Sequence, residues 1–155
     1  PWHGVLQSWN LLGNHDTSRF YSQLGHRKDA MEMAIALMFT LPGTPMIYYG
    51  DEVGMRGQTP HQSRAPMPWD PAAWDQRLHA AFKRYIRLRK ENPVLRTGSL
   101  RWVHAHNRSR TLAFVREATD ARILVIMNAG ERDQRVDCLG RSWEVKAGKV
   151  RVEIS

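Results

Sequence analysis

Residues 28–50 read KDAMEMAIALMFTLPGTPMIYYG, a pattern that predicts a buried helix followed by a short buried strand. Residues 28–41 are apolar on almost every side, which indicates a helix enclosed by other elements. Pro42 and Gly43 end that helix. The run at residues 45–50 has β-branched and aromatic members and stops at a glycine, as buried strands do.

The segment before this unit predicts another strand, with a polar motif at its end. Residues 5–13, VLQSWNLLG, favour a short buried strand that runs into NHDTSRF at residues 14–20. Five polar side chains within six residues indicate a functional site just beyond the carboxyl end of that strand. A turn in which Asn14 and Asp16 satisfy backbone groups is the alternative, and periodicity does not separate the two.

The segment after this unit predicts a long loop and then a helix. Residues 51–70 are rich in glycine and proline and have no period, and loops of this length often carry function. Asp70 followed by Pro71 predicts a helix start, because a capping aspartate and a first-turn proline both favour one. Apolar residues then recur at helical spacing through Lys90.

The last third of the chain changes character. Residues 99–154 contain five short β-rich runs separated by turn residues, which indicates an antiparallel sandwich or meander. The fold class is therefore α/β followed by all-β. We place the domain boundary near residues 94–98, which gives one domain at residues 1–94 and another at residues 95–155.

Composition excludes several classes of protein. The chain has 155 residues, of which 42% are hydrophobic and 25% charged, so disorder along its whole length is excluded. Cys138 is the single cysteine, which rules out an internal disulfide and a cysteine metal cage. It also favours the cytoplasm, and residues 1–30 show no targeting signal. The uncharged residues 33–50 are interrupted by prolines, so we predict no membrane span.

Charge and histidine spacing indicate no further ligand. The net charge is +8, and residues 71–155 carry eighteen basic and nine acidic side chains. The arginines are spread along predicted strands and a helix, which is typical of a solvated surface, so we predict no nucleic-acid partner. The seven histidines lack metal-ligand spacing, and no oxygen cluster suggests calcium. We predict neither a metal nor a cofactor.

Four blocks of sequence together resemble glycoside hydrolase family 13, the α-amylase family. In order they are LLGNHDTSRF, FTLPGTPMIYYGDEVGM, RAPMPWD and RLRKENPVLRTGSL, at residues 11–20, 39–55, 64–70 and 87–100. Similar members are the neopullulanase, cyclomaltodextrinase and oligo-1,6-glucosidase groups. The three residues NHD would be weak evidence alone, but four blocks in the same order and spacing are specific.

The resemblance implies a fold and a catalytic residue. Residues 1–94 would be the last two β/α units of a (β/α)8 TIM barrel, and residues 95–155 an antiparallel β-sandwich called domain C. Active sites of such barrels lie at the carboxyl ends of the strands, where the residue pattern independently places NHD. In the family the aspartate matching Asp16 is the third catalytic carboxylate, and the histidine matching His15 binds the same sugar. Arg19 matches a frequent arginine of the family and is grouped with the predicted substrate-binding residues, where it would support the site through an ion pair. A plain surface position is the alternative.

The residues of the loop at 51–70 have separate predicted roles. Arg64 lies in a loop that the family often uses near its outer subsites, so we predict that it contacts substrate. Trp69 is expected to pack beneath the barrel rim rather than stack on sugar. From the residues alone, Asp51 and Glu52 would pair with Asp16 as acid and nucleophile. The resemblance argues against this, because the family's nucleophile and acid/base precede everything in this chain, so both are expected to shape the loop.

Together these observations predict part of a retaining α-glucan hydrolase. The chain would act on an α-glucan or maltooligosaccharide, and alone it should be inactive. It should need the missing N-terminal half of the barrel or associate with itself. Alternatives are a glucanotransferase or trehalose-synthase-type member of the family, and a non-catalytic module that binds carbohydrate or polyanion. The linkage cleaved, α-1,4 or α-1,6, stays open.

Overall fold

The computed structural model describes residues 2–155, and over these residues the chain forms six α-helices and eight β-strands. The helices are α1 (Trp2–Gln7), α2 (Phe20–Gln23), α3 (Lys28–Thr40), α4 (Pro60–Ser63), α5 (Gln76–Glu91) and α6 (Val94–Thr97). The strands are β1 (Trp9–Leu11), β2 (Thr44–Met46), β3 (Ser99–His106), β4 (Thr111–Glu117), β5 (Arg122–Asn128), β6 (Gln134–Cys138), β7 (Arg141–Val145) and β8 (Lys149–Ile154). Short 3-10 turns lie at Asp51–Val53 and Pro71–Ala73.

The N-terminal part is built around a unit of strand, helix and strand. β1 and β2 pair in parallel, with Trp9 opposite Thr44, and α3 lies between them in the chain. The predicted helix over residues 28–41 is confirmed and ends one residue earlier, at Thr40. Of the helices within residues 2–155, none is both long enough and apolar enough to cross a membrane.

The strand predicted over residues 5–13 is wrong in its length. The structure places Trp2–Gln7 in α1 and only Trp9–Leu11 in β1. Apolar runs without strict alternation fit a helix and a buried strand equally well, which is why the pattern misled. The partner strand is equally short. β2 ends at Met46, so of the strand predicted over residues 45–50 only the first two residues, Pro45 and Met46, are in a strand.

The second long helix begins later than the sequence predicts. Asp70 does cap a turn, but it is the 3-10 turn Pro71–Ala73. Trp74 then has an extended backbone, which breaks the helical path. α5 starts at Gln76, where the carboxylate of Asp75 accepts a hydrogen bond from the backbone. Asp70 and Asp75 could each cap a helix, and the local sequence does not say which of them caps the long one.

The β-rich part contains two antiparallel sheets. β3, β4, β5 and β8 form a four-stranded sheet in that order, and β6 pairs with β7 as a hairpin. Alternate residues of β4 and β5 face opposite sides. The side toward the helices carries Phe114, Ile123, Val125 and Met127. The other side packs on the hairpin through Ala113, Val115, Leu124 and Ile126, against Val136, Cys138 and Val145.

One continuous core joins the helices to this sheet. α3 packs on α5, and the rings of Phe39 and Phe82 meet edge to face with centroids 6.2 Å apart. Buried side chains of both helices belong to the same apolar cluster as the helix-facing side of the sheet. The core therefore fixes the sheet against α3, the helix that follows the polar motif.

Candidate functional site

The polar motif follows β1 directly, and its first residue makes the turn. The side chain of Asn14 accepts a hydrogen bond from the backbone nitrogen of Asp16 at 2.8 Å. The hydroxyl of Thr17 closes the same turn on the backbone of Asn14. Asn14 thus has the structural role that the turn interpretation gave to both residues. The carboxylate of Asp16 is left to face solvent, with 68% of its side chain exposed.

Three of the predicted site residues meet at this point. Nη2 of Arg64 lies 3.1 Å from Oδ1 of Asp16, and Nε2 of His15 lies 3.3 Å from Oδ2. Nε of Arg64 also donates to the backbone oxygen of His15 at 3.0 Å. Arg64 is 48 residues from Asp16 in the chain, so only the fold brings the pair together.

Arg19, the fourth predicted residue, lies apart from this cluster and is buried. Its Nη1 is 2.9 Å from Oδ1 of Asp51, and both side chains are almost wholly buried. The guanidinium also donates to the backbone oxygen of Tyr49. It lies 4.3 Å from the ring centroid of Tyr48 and 4.8 Å from that of Tyr49. A plain surface position for Arg19 is therefore wrong, and the ion pair is what the structure shows.

The two tyrosines connect this buried pair to Arg64. The hydroxyl of Tyr49 donates to the backbone oxygen of Ala65 at 2.8 Å, and that of Tyr48 to Ser63 at 3.3 Å. These carbonyls belong to the residues on either side of Arg64. Sequence reasoning missed both tyrosines as site residues. Their one signal is that they adjoin each other at the end of a predicted buried strand, where polar hydroxyls need partners.

Comparison with known proteins adds an independent result. Residues 3–76 match the family model for the catalytic domain of alpha amylase. The cyclomaltodextrinase of Bacillus sp is 40% identical over 131 residues, a match that covers 84% of this chain and 24% of that protein. Neopullulanase 2 of Thermoactinomyces vulgaris is 36% identical, with 87% and 24% covered. The ligand-free cyclic alpha-maltosyl-(1→6)-maltose hydrolase of Arthrobacter globiformis has a TM-score of 0.86 at 31% identity, with 95% of this chain and 35% of that one covered.

The chain belongs to the α-amylase family. It spans about a quarter of the length of the curated relatives that it matches. All four predicted site residues fall inside the segment that matches the family's catalytic domain, residues 3–76. The maltogenic amylase of S. marinus, with a TM-score of 0.88 over 98% of this chain, shows that the fold of family members extends through the β-rich part.

The sequence places Trp69 beneath the barrel rim of this α-amylase family chain, and within the described residues 2–155 this tryptophan is 79% exposed. Trp74 occupies the sheltered position instead, where its Nε1 donates to the backbone oxygen of Pro68 and its ring lies 5.0 Å from that of His79. The segment offers two tryptophans, and only the fold shows that Trp74 is the one whose indole nitrogen has a partner.

Burial also shifts the titration of Asp51. Loss of solvent raises the pKa of this carboxyl to about 6, and the hydrogen bond from Arg19 keeps it from rising further. At neutral pH both groups are charged, so the pair stays intact. Metal ligands do not gather here or elsewhere among residues 2–155, because no three side chains of His, Cys, Asp or Glu stand close enough.

The pKa of Asp51 predicts a pH dependence of stability. The folded chain holds this proton up to about pH 6, whereas the unfolded chain loses it near the ordinary value of 3.8. The folded state binds more protons in this window, so the contribution of Asp51 to the free energy of unfolding falls as the pH rises from about 4 to above 6. We expect a change of about 3 kcal/mol relative to Asp51→Asn. Urea unfolding of both proteins across this range measures it, and parallel curves would contradict the shift.

Proposed function

We propose that this chain is part of a retaining α-glucan hydrolase and that Asp16 stabilises the transition state. Residues 1–94 would supply the last two β/α units of the catalytic barrel, and residues 95–155 domain C. The parallel pair of β1 and β2 with α3 between them supports the first assignment. The names of the relatives, cyclomaltodextrinase and neopullulanase among them, support an α-glucan as the substrate.

The observation that carries the proposal is the state of the Asp16 carboxylate. It lies just beyond the carboxyl end of a parallel strand, the position from which barrel enzymes act. Only side chains contact its oxygens, and most of it is exposed, so it can accept hydrogen bonds from a sugar. Glycoside cleavage develops positive charge on the sugar ring. A charged acceptor for a sugar hydroxyl therefore binds the transition state more tightly than the ground state.

The surrounding residues would orient this carboxylate. Arg64 holds one oxygen of Asp16 and the backbone of His15, so it fixes the direction of both. A fixed acceptor costs less entropy when the sugar arrives. We propose that His15 bonds the same sugar and that Arg64 contacts substrate once the cleft is filled. Arg19 would act indirectly, from its buried position. It donates to the backbone oxygen of Tyr49, and the hydroxyl of Tyr49 in turn fixes the backbone beside Arg64.

The chemistry also requires two groups that we propose this chain lacks. A retaining enzyme needs a nucleophile and an acid/base about 5 Å apart across the glycosidic bond. Asp51 is buried against Arg19, so its carboxylate has no access to a sugar. The family resemblance places both groups on earlier strands of the barrel. The full-length enzyme of this proposal is the longer polypeptide that supplies those strands.

An uncovered apolar surface supports the need for a partner. Trp9, Leu11 and Ile47 on and beside the parallel pair are exposed, Trp9 by 69%. Parallel sheets are normally covered on both faces and rarely consist of two strands. We propose that the remaining barrel strands cover these side chains in the full-length enzyme, and that the chain alone associates with itself. Two results together would count against this proposal: the chain sediments as a monomer, and an apolar dye finds no accessible surface on it.

The direct test is an activity assay with and without the rest of the barrel. We expect the 155-residue chain to release no reducing sugar from maltooligosaccharides, cyclodextrin or pullulan, because the bond-breaking groups are absent. The full-length enzyme should hydrolyse at least one of the three with retention of the anomeric configuration, which NMR of the first product measures. Robust turnover by the purified chain alone would defeat the assignment of roles.

A further inference from the structure

A group of arginines surrounds an open surface pocket in the β-rich part, away from the candidate site. The turn between β3 and β4 and the loop between β5 and β6 border this pocket, which has a volume of about 450 Å³. Three arginines line it, one of them in the loop and two in the turn: Arg132, Arg108 and Arg110. His106 and Ser109 add further polar groups, and their side chains are hydrogen-bonded to each other at 2.7 Å.

These arginines differ from others on the same sheet. Arg101, Arg122 and Arg151 each form an ion pair with a glutamate of their own or a neighbouring strand. Within the described residues 2–155, none of the three pocket arginines has a carboxylate within ion-pair distance. Glu131 lines the same cavity without pairing to them, so the lining carries a net charge of +2 with His106 neutral.

The backbone at Arg110 is in an unfavourable conformation for its residue type. Its φ is +54°, in the left-handed region that glycine adopts readily and other residues adopt at a cost. Glycine is the usual residue where a hairpin turn needs this geometry. Residues that keep a strained conformation cluster at functional sites, because the side chain is needed there. His26 and Leu139 adopt the same conformation, so the support for a binding role comes from the combination at Arg110 of this backbone with two further arginines in one pocket lining.

The two chain segments that carry the arginines are fixed to each other. The backbone nitrogen of Ala129 donates to the oxygen of Arg110 at 2.9 Å, and the buried Asn128 donates to the oxygen of Arg132 at 2.9 Å. A Cβ on Gly130 would lie only 2.7 Å from the backbone oxygen of Ser109, so the loop and the turn approach too closely for any other residue. The arginine backbones are thus positioned before any ligand arrives, which lowers the entropic cost of binding.

We propose that this pocket binds a phosphate group, either free phosphate or a phosphate monoester of a sugar. Guanidinium groups present paired N–H donors that match phosphate oxygens, and three arginines line this one pocket. The cavity is larger than a single phosphate, so it can also admit the sugar of a monoester. This function is independent of the proposed glucan hydrolysis, which uses residues of the N-terminal part.

The test is calorimetric titration of the chain at low salt with inorganic phosphate and, separately, with glucose 1-phosphate. Arg110→Gly removes one guanidinium and the strain at the same position. We expect it to weaken binding about tenfold, while thermal unfolding shifts upward by about 2 to 4 °C. A destabilised variant cannot produce this combination. The matched control is Arg135→Ala, an exposed arginine on β6 outside the pocket, which should leave the affinity for both anions unchanged.

A second variant should change affinity in the opposite direction. Glu131→Gln removes the one negative charge of the lining, so both anions should bind severalfold more tightly. Tighter binding of the sugar phosphate identifies a monoester as the ligand, and equal binding identifies free phosphate. The proposal would be overturned if the unmodified chain showed no millimolar binding, or if it and Arg110→Gly had equal affinities. It would also be overturned if only long polyphosphate bound, with a steep salt dependence.

Discussion

Replacing Asp16 by asparagine should lower the turnover of the full-length enzyme about a thousandfold, by the size of single-group losses in transition-state stabilisation. The substitution keeps the size of the side chain and its bond to Arg64, but it removes the negative charge that would strengthen the bond to the sugar. Stability should hardly change, because the side chain is exposed and its ion pair with Arg64 lies at the surface. Steady-state kinetics on maltooligosaccharides measures the effect on kcat and kcat/KM, and thermal unfolding measures the stability.

The pattern of kinetic constants separates this role from substrate binding alone. A group that acts only in the transition state lowers kcat and kcat/KM together, whereas a group that binds substrate uniformly raises KM. Asp120→Asn is the control, since Asp120 is an exposed aspartate in the turn before β5. Undiminished turnover by a folded Asp16→Asn enzyme would remove Asp16 from the mechanism. It would leave the family membership of the chain untouched.

The position of Asp16 relative to its strand could be predicted from residues alone, and the reason is local. Polar residues that follow an apolar run must lie near the end of the element. The helix over residues 28–41 was likewise predictable, because a long run with one pattern leaves few alternatives, and thirteen of its residues are helical in the structure. The strand at residues 5–13 was not, since its length depends on how far β2 runs beside it. Short elements depend on their neighbours, which sequence periodicity does not describe.

Contacts between distant residues account for what the sequence did not show. The bond between Arg19 and Asp51 joins residues 32 positions apart, and that between Arg64 and Asp16 joins residues 48 apart. A sequence pattern names such residues as candidates but does not pair them. The exposure of Trp69 was missed for the same reason, because Trp74 competes for the sheltered position and only the fold selects between them.

Arg116 is the largest departure from the predicted solvated, arginine-rich surface. This arginine of β4 is fully buried, and its guanidinium donates to four backbone oxygens at 2.7 to 3.0 Å. The acceptors belong to Thr40, Leu95, Gly98 and Ser99. They lie at the end of α3, in and just after α6, and at the start of β3. Burial, together with the smaller effect of the nearby charge of Arg89, lowers the pKa of Arg116 to about 10, so the side chain is still charged at neutral pH.

We therefore expect Arg116→Ala to lower the free energy of unfolding by about 4 kcal/mol, because the buried carbonyls would lose their donor. Arg116→Lys should cost somewhat less than Arg116→Ala, because an ammonium still offers three donors. It should not be neutral, because lysine lacks the planar fork that reaches all four oxygens. The control is Arg101→Ala on the neighbouring strand, where an exposed ion pair with Glu117 should contribute about 0.5 kcal/mol. Urea unfolding followed by circular dichroism measures all three. If Arg116→Ala were as mild as the control, the helices and the sheet would be joined by the apolar core alone, and the four carbonyls would have to be satisfied by water.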